Sequence, residues 1–159
     1  MEIALSLARS AAIAGEIPVG AVVVRSGQII GTGQNRREAD RDPTLHAEIA
    51  AIRQAAAFLG DWRLTGCTMY VTLEPCPMCA GALLFSRIRR LVFGCADPKA
   101  GACGSLYDLP GDPRFNHKIL VRRGILSGEC ARILREFFQQ RRISRRDGRV
   151  VEGGRLEID

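Results

Sequence analysis

Four side chains combine types and spacing that could do chemistry: His46, Glu48, Cys76 and Cys79. The cysteines stand in Pro75-Cys76-Pro77-Met78-Cys79. A C-x-x-C pair reads either as a redox dithiol or as half of a metal site. A redox dithiol needs no histidine, whereas a zinc site with one further ligand does. The chain has only two histidines. His46 lies in His46-Ala47-Glu48, where a helix is expected to open, and His117 follows Asn116 in a loop. A lone histidine is more often structural than a ligand. One that precedes a glutamate by two residues and a C-x-x-C by 30 is harder to dismiss.

The combination is physically coherent. His46 as neutral imidazole, with Cys76 and Cys79 as thiolates, gives zinc three protein ligands. A fourth position stays open, the arrangement of a catalytic rather than a structural site. Zinc in such a site brings the pKa of water from about 15.7 toward roughly 7. Cys76 and Cys79 fall at a helix start, where the dipole favours thiolate. Glu48 shares the first helical turn with His46 and can face the metal without binding it. A carboxylate placed there takes a proton from water and passes it to the substrate, an effect worth about 10²–10⁴ in rate. The plainer alternative is a first-turn glutamate that complements the helix dipole. A structural zinc protein would instead require a fourth protein ligand, such as His117 or Cys95.

The elements that must position these residues follow from periodicity. Ala4, Leu7, Ala8 and Ala11 form the stripe of a first helix, closed by Gly15. Residues 19–25 and 28–33 read as a hairpin around Ser26-Gly27. A polar loop over residues 35–43 leads to a helix over 46–59, with Thr44 as its expected cap. Residues 67–73 are an apolar strand ended by Glu74-Pro75, and a short helix begins near Pro77. Strands are expected over 90–95 and 118–122, with a long Gly/Pro-rich loop over 97–114 between them. A final helix is expected over about 127–142, with Cys130, Ile133, Leu134, Phe137 and Phe138 as its stripe. The order α-β-β-α-β-α-β-β-α implies an α/β protein, a mixed five-stranded sheet with helices on both faces. One domain is expected over 1–146, and the tail over 147–159 shows no stable period.

Composition sets the outer bounds. The chain has 159 residues, 47% apolar and 25% charged, which fits one globular domain and disfavours disorder. At this length a domain buries about 70% of its unfolded surface, so no disulfide staples are needed. No apolar run is long enough for a transmembrane helix. The N-terminus lacks a basic leader and Arg9 interrupts its apolar stretch, so the expected location is the cytoplasm. The six cysteines (67, 76, 79, 95, 103 and 130) are accordingly not read as a disulfide framework. Net charge is +6, and residues 132–146 hold six arginines against one acid, Glu136. Such a cluster attracts a polyanion, nucleic acid first, unless it is only a solvated helix face.

At His46-Ala47-Glu48 and Pro75-Cys76-Pro77-Met78-Cys79 the chain resembles the zinc-dependent nucleoside and nucleobase deaminases, whose signature carries a glutamate that is not a ligand. It is further similar to the bacterial tRNA adenosine deaminases. Matching stretches include Ile17-Pro18-Val19-Gly20-Ala21-Val22, Asp42-Pro43-Thr44-Leu45-His46 and Tyr70-Val71-Thr72-Leu73-Glu74. Others are Val92-Phe93-Gly94, Asp97-Pro98-Lys99-Ala100-Gly101-Ala102 and Gly124-Ile125-Leu126, so the likeness spans about residues 1–142.

The resemblance implies the three-layer α/β/α cytidine-deaminase-like fold and one zinc ion per subunit. It implies hydrolytic deamination of adenosine to inosine at the wobble position of a tRNA anticodon, an arginine tRNA in bacteria. It also implies a homodimer whose second subunit helps form the surface for the anticodon stem-loop, with no DNA or membrane partner. Carried over by position, Asn35 and Ala47 meet the target nucleoside. Asp97, Lys99 and Ser105 lie beside the flipped anticodon bases, Asn116 is substrate-side, and Phe137, Arg141 and Arg142 meet the RNA. Each has a plainer reading: a turn for Asn35 and Asp97, core packing for Phe137 or Phe138. Leu45 departs from the family, where a smaller residue is common. Cys95 and Cys103 are extra thiols read as inert packing, and His117 as structural or substrate-side. A free nucleobase or nucleoside deaminase, of guanine or cytosine type, is the rival, because the metal motif is shared.

Overall fold

Ser26 and Gly27 both take positive φ, 50° and 77°, and turn β1 (Gly20–Arg25) back as β2 (Gln28–Gln34). Positive φ at both central positions suits the right-handed twist of the paired strands. In this computed structural model, which describes the backbone of residues 1–155 and the side chains of residues 1–145, a helix α1 (Glu2–Ile13) precedes the hairpin. There follow α2 (Ala47–Leu59), β3 (Thr68–Leu73), α3 (Pro77–Phe85), β4 (Arg90–Cys95), β5 (Leu120–Arg123) and α4 (Ser127–Arg155).

The strands form one mixed sheet in the order β2-β1-β3-β4-β5. β1 pairs antiparallel with β2 and β3, while β3, β4 and β5 run parallel. Helices α1 and α4 pack together on one face and α2 and α3 on the other, so the three expected layers are present. Alternate residues of the central strands, Met69 and Val71, Leu91 and Phe93, point into the larger core with Ala51, Ala55, Leu83 and Leu84. A smaller cluster of Leu5, Cys95, Cys130 and Ile133 fills the opposite face.

Two features of this frame place the site. Alanines on α2 let it sit directly on β2, where a Cβ at Gly33 would run into the Ala47 carbonyl oxygen. That contact fixes the first turn of α2. The site then forms where the carboxyl ends of β3 and β4 meet the helix starts, the usual crevice of open α/β sheets. The parallel β4–β5 connection carries no helix, and residues 96–119 pass this end of the sheet as a loop.

The sequence reading misplaces two boundaries. The cap of α2 is His46, not Thr44, because Thr44 is spent in the preceding turn, donating its N–H and hydroxyl to Asp42 at 2.8 and 2.6 Å. The last helix runs to Arg155, well beyond residue 142. Its apolar stripe stops at Phe138, so periodicity cannot reveal the extension. Arginine is a good helix former, and Gly148, Gly153 and Gly154 cost only about 1 kcal/mol each against alanine. The last four residues of the expected tail, 156–159, lie outside the described residues.

Candidate active and metal site

Two helix starts converge on one point. His46 caps α2 and Cys76 caps α3, both with extended backbone and neither spending its side chain on the helix. Pro77 at the start of α3 presets the helical φ, and Cys79 follows one turn in. His46 Nδ1 lies 3.7 Å from Cys76 Sγ and 3.5 Å from Cys79 Sγ. A tetrahedral zinc with sulfur at about 2.3 Å and nitrogen at about 2.0–2.1 Å sets an N–S edge near 3.6 Å. The donor set therefore fits zinc in both chemistry and spacing. Among the described residues this is the one cluster of three or more His, Cys, Asp or Glu side chains with metal-site spacing.

The electrostatics agree with a cation-binding set. The three groups compete for protons. Cys76 is drawn down to about 4, first by the hydrogen bond from the Cys79 thiol. The same contact, and burial, push Cys79 up. His46 is raised by its hydrogen bond to Cys76. Both helix dipoles present their positive ends to these sulfurs.

Glu48, on the first turn of α2, is 4% exposed, and burial raises its carboxyl to about 6. Together with His46, Ala47 and Cys76 it lines a cavity of about 250 Å³. Ile17, Val19 and Leu73 supply apolar wall; Asn35, Arg37, Glu74, Asp97 and Ala100 complete it. A small, partly open space with a proton-accepting carboxylate beside a candidate metal triad suits chemistry on one flat polar ring.

Of the remaining residues singled out in the sequence, Asn35 and Asp97 reach the cavity wall. Buried Asn35 donates to the Ile17 carbonyl (3.4 Å) and accepts from Arg37 N–H (3.3 Å). Asp97 also closes its own turn, accepting from the N–H of Lys99 and Ala100. Lys99 is exposed outside the wall. Ser105 reaches neither cavity nor metal cluster and instead bonds to Glu74. Asn116 accepts from Arg87 at 2.8 Å, away from the cavity. Phe137 is buried in this chain under the Arg141 guanidinium, 4.9 Å from its ring centroid, while Phe138 is half-exposed. Arg141 donates to the Gly15 carbonyl at 2.9 Å, and Arg142 is exposed. His117 bonds the Ile88 carbonyl through Nε2 at 2.6 Å and is not part of the His46–Cys76–Cys79 cluster. Cys95 and Cys103 are buried and held protonated, with burial pushing them up to about 11 and about 12.

Two buried carboxylates escaped the sequence reading. Glu16 accepts from the backbone of Glu38 and Ala39, and Glu74 from that of Asp97, Cys103 and Ser105. Glu74 had a signal: an acid closing an apolar strand one residue before the cysteine motif.

Residues 1–142 match the MafB19-like deaminase family. The chain is 46% identical over 149 residues to the tRNA-specific adenosine deaminase of Bacillus subtilis, covering 94% of this chain and 92% of that one. It is 52% identical to the Haemophilus influenzae protein of the same name, covering 89% and 83%. A tRNA(Ile)-lysidine synthase of Deinococcus deserti is 53% identical over 140 residues, 87% of this chain, which there make up 26% of the protein. Among solved structures, a tRNA:A34 deaminase studied for A-to-I editing at the wobble position superimposes with TM-score 0.82 at 48% identity. That match covers 84% of this chain and 97% of the other. A guanine deaminase from Nitrosomonas europaea follows at TM-score 0.72 and 30% identity, covering 86% and 81%. The sheet, the convergent helix starts and these relatives agree: the chain is a deaminase of the MafB19-like family and belongs with the tRNA-specific adenosine deaminases.

Proposed function

We propose that the chain converts adenosine to inosine at the wobble position of a tRNA anticodon, an arginine tRNA foremost, as a zinc-dependent hydrolase of the cytoplasm. The observation that carries the reading is buried Glu48, raised to about 6, beside the His46–Cys76–Cys79 triad in a cavity of about 250 Å³. His46, Cys76 and Cys79 would hold zinc, which when bound would supply the Lewis acid that makes water a nucleophile at a pH of about 7. Glu48 takes the proton from water, delivers it to adenine N1 and then carries one to the departing amino group. Water and adenosine thus become inosine and ammonia. Ile17, Val19 and Leu73 exclude bulk water, and Asn35 and Ala47 orient the nucleoside. A loop base costs little to extrude from its stack, which favours an anticodon over a paired base.

The polyanion is met outside the cavity. Arg141, Arg142 and Arg145 are exposed on α4, among six arginines over residues 132–146. Lys99 and Ser105 border the bases that flank the target, with Asn116 on the substrate side. Residues 1–146 act as one deaminase domain, with residues 147–159 an appended tail. Two such subunits pair in this reading; Phe58, Trp62 and Phe85 are among the large apolar side chains exposed in the single chain. No DNA substrate is expected, and no helix among the described residues is long and apolar enough to cross a membrane.

Likeness to a guanine deaminase favours one competing reading, a free-base deaminase using the same triad. An inosine assay on an arginine anticodon stem-loop, with guanine and cytosine in parallel, separates the two. Inosine at the wobble position alone is the expected result. Turnover of a free base without inosine would keep the triad's role and overturn the substrate.

A further inference from the structure

The cavity wall contains three carboxylates, Glu48, Glu74 and Asp97, and Glu74 is the one whose hydrogen-bonding capacity is fully used. Glu74 is 2% exposed, and both of its oxygens are doubly engaged. Oε2 accepts from the Asp97 N–H at 2.9 Å and from the Ser105 hydroxyl. Oε1 accepts from the N–H groups of Cys103 and Ser105, each at 3.0 Å. Four donors saturate a carboxylate, which has about four lone-pair sites. No site remains for a substrate proton, so Glu74 is not a second acid or base.

All four donors belong to one loop, residues 97–105, and that loop supplies Asp97 and Ala100 to the cavity wall. The loop is also tied to the metal-ligand segment, since Ala102 N–H donates to the Pro75 carbonyl at 2.8 Å. Gly101 passes so close that a Cβ there would meet the Glu74 carboxyl group. The guanidinium of Arg123 closes over Gly104, whose φ of 130° few other residues adopt. The loop's shape is thus written around one buried side chain, itself two residues before Cys76.

We propose that Glu74 is a positioning residue for the reaction. It acts through the 97–105 loop to hold Asp97 and Ala100 at one setting against the triad, so that the target base enters in a single pose. The inference rests on the deaminase reading above and assigns a device within that site. Loops carry recognition well only when something fixes them. Here a strand-end carboxylate replaces the backbone pairing that a strand or helix would provide.

The test is Glu74→Gln in the full-length, zinc-loaded protein. An amide keeps one acceptor but sets an NH₂ against two loop donors, so at least half of the bonds are lost. Amide exchange at Asp97, Cys103 and Ser105 is expected to quicken about tenfold or more, while the β3 and β4 core amides stay slow. Zinc content stays unchanged. On an anticodon stem-loop kcat/KM falls about 10–100-fold, the cost of a misplacement of roughly 1 Å. The acid limb of the pH profile stays where it is. Ser105→Ala, which deletes one of the four bonds, quickens exchange of the loop amides by a smaller factor, and adds nothing to that exchange when combined with Glu74→Gln. A moved acid limb would make Glu74 a direct proton carrier, and unchanged loop exchange would remove its hold on the loop; either overturns the proposal. If Glu74→Gln fails to fold, exchange of the loop amides in Ser105→Ala decides, an unchanged loop again being the negative. Should the wild-type protein deaminate only a free base, the substrate reading falls. Loop exchange, zinc content and turnover of that base still test Glu74.

Discussion

The metal cluster and the loop beside it solve the same problem, holding side chains still, by different means. His46, Glu48, Cys76 and Cys79 stand on the first turns of α2 and α3, whose backbones are fixed by helix bonds and by packing on the sheet. Residues 97–105 have no such ladder and hang on the Glu74 carboxylate. A second loop, over residues 36–42, is held likewise by buried Glu16. The metal-cluster side chains and Glu48 thus sit on regular elements, whereas the cavity-wall residues Arg37, Asp97 and Ala100 sit on loops pinned by one acid each. Disturbing the first region should abolish chemistry outright; disturbing the second should grade it.

The largest effect tests the first half of that contrast. Chelation of the metal is expected to remove all turnover, and restored zinc to return it. Glu48→Gln keeps the shape of the side chain but cannot accept a proton, and should cost about 10²–10⁴ in kcat with zinc content unchanged. Metal analysis beside steady-state kinetics checks both. Loss of zinc in Glu48→Gln would make Glu48 a ligand and cancel its role as proton carrier.

A smaller effect comes from the frame beneath. Gly33→Val puts branched carbon against the Ala47 carbonyl, at the turn that presents His46 and Glu48. Overpacking of this kind costs about 1–3 kcal/mol. Denaturant unfolding should report that loss, and kcat should fall with it because the first turn of α2 is pushed off the sheet. A variant destabilised to that extent but fully active would show that α2 yields at its other end.

These two regions also differ in how plainly they can be read from sequence. The triad and Glu48 are legible because metal geometry demands particular residue types at short spacings, and helix starts supply those spacings. The strands and helices are legible because burial imposes periods of two and 3.6. Glu16 and Glu74 are hard to read from sequence because all but one of the bonds they accept come from backbone N–H groups, which every non-proline residue carries. Ser105, chosen by resemblance, bonds Glu74 through both its N–H and its hydroxyl, and the Asn116 side chain accepts from Arg87. The extension of α4 past residue 142 was hidden because a solvated arginine helix has no apolar stripe to count.

The basic helix should produce a graded change rather than an all-or-none one. Replacing Arg141 and Arg142 by glutamine is expected to weaken RNA binding and to reduce the slope of log K against log salt by about 1.4. That figure corresponds to about 0.7 for each lost phosphate contact on single-stranded RNA. Turnover at saturating RNA should hardly change, because neither side chain lines the cavity. An unaltered salt slope would place the phosphate contacts elsewhere on the surface.

The smallest effect is expected from the cysteines that do no chemistry. Burial pushes Cys95 up to about 11 and Cys103 up to about 12, above the ordinary thiol value. Because the folded values are raised, the protonated form is favoured in the folded state. That contribution to stability is complete below the ordinary thiol pKa and is lost as pH rises through the folded values. At pH 8 the thiolate fractions are about 10⁻³ and 10⁻⁴, and alkylation requires thiolate. Iodoacetamide at that pH should leave the zinc-loaded enzyme active and unlabelled at both positions, as read by peptide mass. After chelation, labelling should begin at Cys76, whose thiol is drawn down to about 4. Rapid labelling of Cys103 in the loaded enzyme would mean that the 97–105 loop opens readily, and that Glu74 holds it less firmly than its four bonds imply.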